Sequence, residues 1–163
     1  MSMIGNYLKL SVEQLQAIVT EPSEAVELVY PESGDYPADA LDIDKSWHLI
    51  HFLLNGETWG GSAPLFNVVL GGNELPNTDA GYGPFRYLTP VEVQTVSLAL
   101  ASISPTDLWA RFNAKETQAA EIYPTPWRGD DGDREYVVQN YESLRKYFSE
   151  ASTAGNAMLL YLS

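Results

Sequence analysis

The sequence has no cysteine, few basic residues and no long hydrophobic run. Without cysteine, no disulfide framework, thiolate metal site or thiol nucleophile can form. The longest apolar runs, such as residues 157–162, are much shorter than the roughly 20 residues that a membrane-spanning helix needs. The first residues also lack the basic and apolar regions of a secretory signal. Together these features predict a cytoplasmic protein.

The shortage of bases gives the chain a strongly negative charge. Its 163 residues include 9 Lys and Arg against 22 Asp and Glu, a formal net charge of −13. Such a charge repels nucleic acids and anionic membranes, so neither is expected as a partner. Hydrophobic residues still make up 45% of the chain, which is enough to form a core and excludes a disordered acidic tail. The length predicts one domain over residues 1–163.

The negative charge is concentrated in the first quarter of the chain. Residues 1–44 contain nine acids and one base, Lys9, whereas residues 45–163 contain thirteen acids and eight bases. A solvated face that aids solubility would explain this pattern. A docking surface for a basic partner would also explain it, because a face of one sign speeds encounter with its opposite. The nine acids are Glu13, Glu21, Glu24, Glu27, Glu32, Asp35, Asp39, Asp42 and Asp44.

The hydrophobic pattern predicts six or seven helices and three or four short strands, which do not alternate as βαβ units. The predicted fold class is therefore α+β, a single domain with several helices packed on a small, mainly antiparallel sheet. Strands are predicted over residues 4–10, 85–88 and 157–162, and a long loop over residues 71–84. The longest helix is predicted to bury Val137, Tyr141, Leu144, Phe148 and Ala151.

Capping residues predict where several of the helices begin. We expect a helix that starts at Asp42 or Asp44, a short helix over residues 64–70, a capping box at Thr89 and a longest helix capped by Asp133.

Both histidines of the chain lie on the first of these helices. Asp44, His48, His51 and Asn55 share one face of a helix that is otherwise apolar. Three interpretations of this polar face stay open. The histidines and Asp44 act as an acid–base pair, they bind a metal, or the two histidines are structural and bond to the backbone or to carboxylates, for example His48 to Asp44. A zinc site would need a further strong ligand, and no HExxH spacing exists, so no metal is predicted.

A glycine-rich segment precedes Arg86 and Tyr87. Residues 81–84 (GYGP) match neither G-x-G-x-x-G nor a P-loop, so they predict turn geometry rather than a phosphate site. Arg86 is expected to pair with a carboxylate such as Asp42 or Asp44, or to bind an anionic ligand.

A third polar segment, residues 128–135 (RGDDGDRE), lacks the spacing of a calcium loop and predicts a solvent-exposed loop that leads into a helix. The chain has no G-x-S-x-G motif. Its aromatic residues are not interleaved with bases, so a surface for single-stranded nucleic acid is not expected.

One set of residues, spread in order along nearly the whole chain, forms a recognisable pattern. Its members are Met1, Met3, Ile4, Gly5, Leu41–Lys45, Trp47, His51, Phe52, Leu54, Gly56, Pro64, Leu65, Val69–Gly71, Tyr87–Pro90 and Ile122–Pro124. This pattern resembles the YfbM-like family of bacterial proteins of unknown function. The resemblance implies a single α+β domain in a bacterial cytosolic protein. It implies no reaction and no catalytic residue, and His48 occupies a position where that family has other residue types.

Two hypotheses for the function follow from these patterns. The first is a non-enzymatic binding protein that holds a basic protein partner, as an inhibitor or neutralising protein, without a cofactor. The second is a small-molecule-binding protein or an enzyme of the hydrolase or transferase class, with a cleft around Asp44, His51 and Arg86. The residues predicted to line a cleft or binding site are Asp42, Asp44, Lys45, Trp47, His48, His51, Tyr82, Arg86 and Tyr87.

Overall fold

Five strands form one open antiparallel sheet in a computed structural model that describes residues 1–163. The order of the strands across the sheet is β2-β1-β5-β4-β3, so the last strand of the chain lies at the centre. The strands are β1 (Gly5–Leu10), β2 (Leu41–Asp42), β3 (Asn73–Glu74), β4 (Arg86–Leu88) and β5 (Ala157–Leu162).

The two long strands come from opposite ends of the chain. Strand β1 pairs with β5 over six residue pairs, from Gly5 with Leu162 to Leu10 with Ala157. Successive side chains of a strand point to opposite faces of the sheet, and both faces of β5 are buried. This explains why β5 is an unbroken apolar run rather than an alternating one.

Seven α-helices surround the sheet, and none combines the length and apolar character needed to cross a membrane. Short 3-10 turns over Asp44–Ser46 and Leu65–Val68 precede and follow the third helix. The helices are α1 (Val12–Thr20), α2 (Ser23–Val29), α3 (Trp47–Asn55), α4 (Pro90–Ala101), α5 (Pro105–Trp109), α6 (Ala114–Ala119) and α7 (Asp131–Ala154).

A separate hydrophobic core lies on each face of the sheet. The larger core joins α3, α4 and α7 to the side chains of Met158 and Leu160 on β5. The smaller core joins α1 and α2 to Leu159 and Tyr161, the neighbouring side chains of the same strand. Successive side chains of β5 therefore enter different cores, and each core belongs to one group of helices.

The α+β prediction is confirmed, and several local predictions are confirmed with it. The side chain of Thr89 accepts a hydrogen bond from the Glu92 N–H at 3.3 Å, and Glu92 Oε1 accepts one from the Thr89 N–H at 3.0 Å, as a capping box requires. The predicted apolar face of α7 is buried throughout.

Of the two predicted starts of the helix that carries the histidines, Asp42 was wrong, whereas Asp44 begins a 3-10 turn that runs directly into α3. Leu41 and Asp42 instead form strand β2, and α3 begins only at Trp47. The backbone leaves the strand through Ile43, whose N–H donates to Gly5 O at 2.9 Å, and through Asp44, which has a φ of 51°. A left-handed residue ends the extended segment, and no sequence pattern signalled this turn.

Two further predictions on helices differ from the structure. The short helix expected over residues 64–70 is present as a 3-10 turn and covers only Leu65–Val68. Helix α7 is capped by Asp130 instead of Asp133, since Asp130 Oδ1 accepts the Asp133 N–H at 2.9 Å. An aspartate three residues into a helix is itself favoured by the helix dipole, so the sequence signal at Asp133 was ambiguous.

We expect Gly5→Ala to destabilise the protein. An added Cβ at Gly5 would lie 2.9 Å from the Trp47 Cβ and 3.0 Å from a side-chain carbon of Ile43, so β1 would have to move away from α3. Overpacking of this kind lowers the free energy of unfolding by about 1–3 kcal/mol, measurable by urea unfolding. Gly132→Ala is the matched control: it lies in helix α7 with its nearest neighbour at 3.4 Å, and is expected to leave stability unchanged or slightly raised. Equal effects of the two changes would contradict this account.

Candidate functional site

Helix α3 carries most of the residues predicted to form a site, and it lies inside the larger core. Trp47, Leu49 and Ile50 are fully buried, and both His48 and His51 are buried beside them. A helix that is apolar on nearly every side has no solvent face, so its polar side chains must find partners within the protein.

His48 uses both of its ring nitrogens in hydrogen bonds to the main chain. The Tyr123 N–H donates to Nδ1 at 2.9 Å, so Nδ1 carries no proton, and Nε2–H donates to Thr58 O at 3.0 Å. The imidazole also lies between two indole rings, with centroids 4.9 Å from Trp47 and 4.3 Å from Trp59. The neutral ring thereby joins α3 to two separate loops, and neither nitrogen is free for proton transfer.

His51 performs a similar task one turn further along the helix. Its Nε2–H donates to Gly60 O at 2.9 Å, and the amide of Asn55 lies 3.3 Å from Nδ1. The loop of residues 56–61, which we call the histidine-bound loop, is therefore held by both histidines. Of the three interpretations of this pair, the structure shows the one in which the histidines are bonded to the backbone.

Burial lowers the pKa of both histidines. The effect is largest for His51, whose pKa falls to about 4 because removal from water disfavours the imidazolium, although the bond to Gly60 O acts in the opposite direction. The pKa of His48 is lowered for the same reason, and its bond to Thr58 O also opposes the shift. Both rings are therefore neutral near pH 7.

Asp44 pairs with a tyrosine of α7 rather than with His48. Its Oδ2 accepts the Tyr136 O–H at 2.8 Å, and the Tyr136 hydroxyl oxygen in turn accepts the Lys45 N–H at 2.9 Å. Asp42 Oδ1 accepts the Asp44 N–H, which closes the turn. Burial and the bond to Asp44 raise the pKa of Tyr136. This network anchors the 3-10 turn before α3 to the first turns of α7.

Aromatic rings connect this network to the histidines. The Trp127 ring stacks near Tyr136 at 6.3 Å, and the Trp127 indole N–H donates to Tyr123 O at 3.3 Å. The Tyr123 ring stacks on Trp47 at 5.7 Å, and Trp47 itself donates to Met3 O. The row of rings ends at the surface with Trp59, whose side chain is 61% exposed.

Arg86 lies elsewhere, on β4, and its partners are carbonyl oxygens rather than carboxylates. One guanidinium nitrogen donates to Val69 O and to Gly71 O, both at 2.7 Å. The side chain is only 8% exposed, and burial lowers its pKa. The predicted pairing of Arg86 with Asp42 or Asp44 was therefore wrong, since the guanidinium ties the end of a 3-10 turn to the sheet.

The two tyrosines near Arg86 are half-buried, and their main-chain atoms form hydrogen bonds. The Tyr82 N–H donates to Leu162 O at 3.1 Å, and Tyr87 O accepts the amide of Asn73 at 3.0 Å. Their predicted role in binding stays a prediction.

The structure therefore divides the nine predicted residues into three groups. Asp42, Asp44 and Lys45 lie at the turn before α3, Trp47 and the histidines lie inside the core, and Tyr82, Arg86 and Tyr87 lie on or beside the sheet. Five surface cavities of about 230–380 Å³ are lined by other residues. No three acid or histidine side chains meet in an arrangement that could hold a metal ion.

Sequence reasoning missed Trp59, Tyr123, Trp127 and Tyr136, which complete the neighbourhood of the predicted residues. A tryptophan followed by two glycines, as at residues 59–61, was a visible signal of an exposed ring on a loop. No comparable signal identified Tyr123 or Tyr136, since aromatic residues in and beside helices are ordinarily core residues.

Fold and site together define a single-domain α+β protein in which buried histidines and a buried arginine hold the main chain in place. The chain belongs to the family described as a domain of unknown function (DUF1877), whose model matches residues 1–161. Its structure is similar to the crystal structure of YfbM from Escherichia coli, a protein of unknown function, with a TM-score of 0.75. The two are 22% identical, and the match covers 98% of this chain and 99% of the other. No curated protein matches the chain.

We expect the protein to lose stability on acidification between pH 6.5 and about 4. The pKa of His51 is lower in the folded chain than in the unfolded chain, so protonation favours unfolding as the pH falls below 6.5. The loss from His51 is on the order of 2 kcal/mol at the acid end of this window. Urea unfolding at a series of pH values measures it.

His51→Gln provides the control for this prediction. The glutamine amide can still donate towards Gly60 O but does not titrate, so the variant is expected to lose less stability than the parent protein between pH 6.5 and 4. Identical pH dependence in the two proteins would mean that His51 is not responsible.

Proposed function

We propose that the chain is a non-enzymatic binding protein that holds a basic protein partner on the face built from residues 11–44, which we call the acidic face. The observation that carries the proposal is that all nine acids of residues 1–44 are exposed and none of them forms an ion pair. The only base of that segment, Lys9, pairs with Glu150 of α7 at 2.8 Å. The charge of the acidic face is therefore not compensated within the protein.

Exposed apolar side chains on the same face support a protein partner rather than simple counter-ions. Val12 and Val19 lie two turns apart on α1 and are 46% and 49% exposed, and Tyr36 in the following connector is 68% exposed. Carboxylates beside aliphatic and aromatic side chains match the chemistry of lysine and arginine, whose apolar stems and charged heads need both. The charge would speed encounter, and the apolar contacts would slow dissociation.

The roles of the histidines and of Arg86 agree with a protein that performs no reaction of its own. His48 is fully hydrogen-bonded, His51 is buried, and Arg86 is engaged with carbonyl groups. The hydrogen-bonding groups of these side chains hold loops and turns in position.

Neutralising three acids of the acidic face should weaken binding. We expect Glu24→Gln, Glu32→Gln and Asp39→Asn together to reduce the affinity for a basic partner about tenfold. Each lost ion pair at an exposed site costs about 0.5 kcal/mol, and three such losses correspond to that factor. The measurement is capture of soluble cell proteins on the immobilised full-length chain at about 0.05 M and about 0.5 M salt, where screening differs strongly.

The matched control removes the same charge elsewhere. Glu57→Gln, Glu74→Gln and Glu135→Gln also neutralise three exposed acids, but outside the acidic face, and should leave retention unchanged. The proposal fails if the chain retains no basic protein at low salt, or if both triple variants lose the partner equally.

A further inference from the structure

One cavity of about 380 Å³ lies apart from the acidic face and shares Trp127 with the row of aromatic rings described above. It opens between α6 and the segment of residues 122–128, and we call it the Arg128 cleft. Its volume is within the range of small-ligand sites. The residues that line it are Ala114, Thr117, Gln118, Ile122, Thr125, Pro126, Trp127 and Arg128.

The cleft combines buried apolar walls with a few polar groups. Trp127 is 8% exposed and Pro126 is exposed, so these two rings offer the hydrophobic surface of the cleft, while Ile122 is fully buried behind them. The hydroxyl of Thr117 donates to Asn113 O and is already used. The side chains of Gln118, Thr125 and Arg128 form no hydrogen bond within the protein. Apolar walls with a small number of free polar groups are the usual composition of a ligand site.

Arg128 is the one arginine of five whose side chain has no partner within the protein, a state that it shares with Lys45 and Lys115 among the nine bases. Four bases form ion pairs, and Arg86 and Arg111 donate to main-chain carbonyls. The Arg128 guanidinium has neither kind of partner, although aspartates follow closely in the sequence. A protein with 22 acids leaves a planar cation unpaired at a cleft, where it is available to an anion.

The neighbouring aspartates are each occupied by another group. Asp133 Oδ2 accepts the N–H groups of Arg128 and Gly129 at 2.7 and 2.9 Å, and Asp130 caps α7. Asp131 pairs with Arg134 at 3.4 Å. These carboxylates fix the backbone at Arg128 without forming an ion pair with its side chain.

The backbone of the cleft is also fixed on its inner side. The Trp127 indole N–H donates to Tyr123 O, and the Tyr123 N–H donates to His48 in the core. At Gly129 a Cβ would lie 2.5 Å from the Phe112 ring, so the turn after Arg128 packs closely on that side chain. A wall that is held before the ligand arrives costs less ordering on binding.

We propose that the Arg128 cleft binds a small organic anion with a flat apolar body. The anionic group would lie at the Arg128 guanidinium, with Gln118 and Thr125 as additional donors, and the apolar body would lie against Pro126 and Trp127. Carboxylates and phosphates share this chemistry, because both accept paired hydrogen bonds from a guanidinium. This site is separate from the acidic face, so the two proposals stand independently.

The test is titration of the full-length protein with benzoate and with phenyl phosphate, followed by the indole N–H resonances in nitrogen–proton correlation spectra. At least one of the two anions is expected to shift the Trp127 resonance more than that of Trp59, since Trp59 does not line the cleft. Whichever anion binds more tightly distinguishes a carboxylate from a phosphate ligand. Benzylamine, with the same ring and the opposite charge, is expected to cause no shift.

Two variants of equal charge separate a specific site from general attraction. Arg128→Gln is expected to lower the affinity for the anion about tenfold or more, because a hydrogen bond to a charged group is lost. Lys146→Gln removes the same charge outside the cleft and is expected to leave the affinity unchanged. Thermal unfolding of both variants checks that each still folds.

The proposal is overturned if neither anion shifts the Trp127 resonance, if benzylamine shifts it equally, or if the two variants weaken binding to the same extent. Acetate tests the apolar body, because it carries the charge without the ring. If acetate binds as tightly as benzoate, the apolar walls contribute nothing and the proposed ligand class is wrong.

Discussion

The pairing of β1 with β5 is the interaction on which the remaining structure depends. It joins the two ends of the chain through six antiparallel residue pairs and places β5 at the centre of the sheet. Since β5 is buried on both faces, its side chains alternate between two cores. One core lies under α3, α4 and α7, and the other lies under α1 and α2. The pairing also gives the two helix groups separate surfaces. The acidic face lies with α1 and α2, whereas the Arg128 cleft lies beyond the larger core.

Polar side chains in this protein chiefly position the backbone. His48 bonds to Thr58 O and to the Tyr123 N–H, His51 bonds to Gly60 O, and Arg86 bonds to two carbonyls. A buried polar group without a partner costs about 1–3 kcal/mol, so each of these bonds is needed once the side chain is inside. The residues that suggested catalysis in the sequence thus form hydrogen bonds with main-chain groups of loops and turns. Those groups lack the regular hydrogen-bond partners that a helix or a sheet provides.

Hydrogen bonds hold the loops and turns beside the two proposed surfaces. The segment of residues 122–128 is held by His48 on one side and by Asp133 on the other. The turn before α3 is held by Tyr136, which bonds to Asp44 and to the Lys45 N–H. Such fixed geometry would favour the proposed binding, because less freedom is lost when the partner arrives. The charge of the chain then acts locally: acids remain free on one face, and one arginine remains free at a cleft.

The sequence by itself determined the fold class, the capping box at Thr89, the buried face of α7 and the concentration of acids before residue 45. These features depend on neighbours a few residues apart, so periodicity and capping rules reach them. Only the tertiary structure decided what the polar side chains contact. His48 meets Tyr123 across 75 residues and Asp44 meets Tyr136 across 92, distances at which no local pattern carries information. The predicted cleft around Asp44, His51 and Arg86 rested on proximity along a helix and on charge, whereas the folded chain placed these three residues in separate environments.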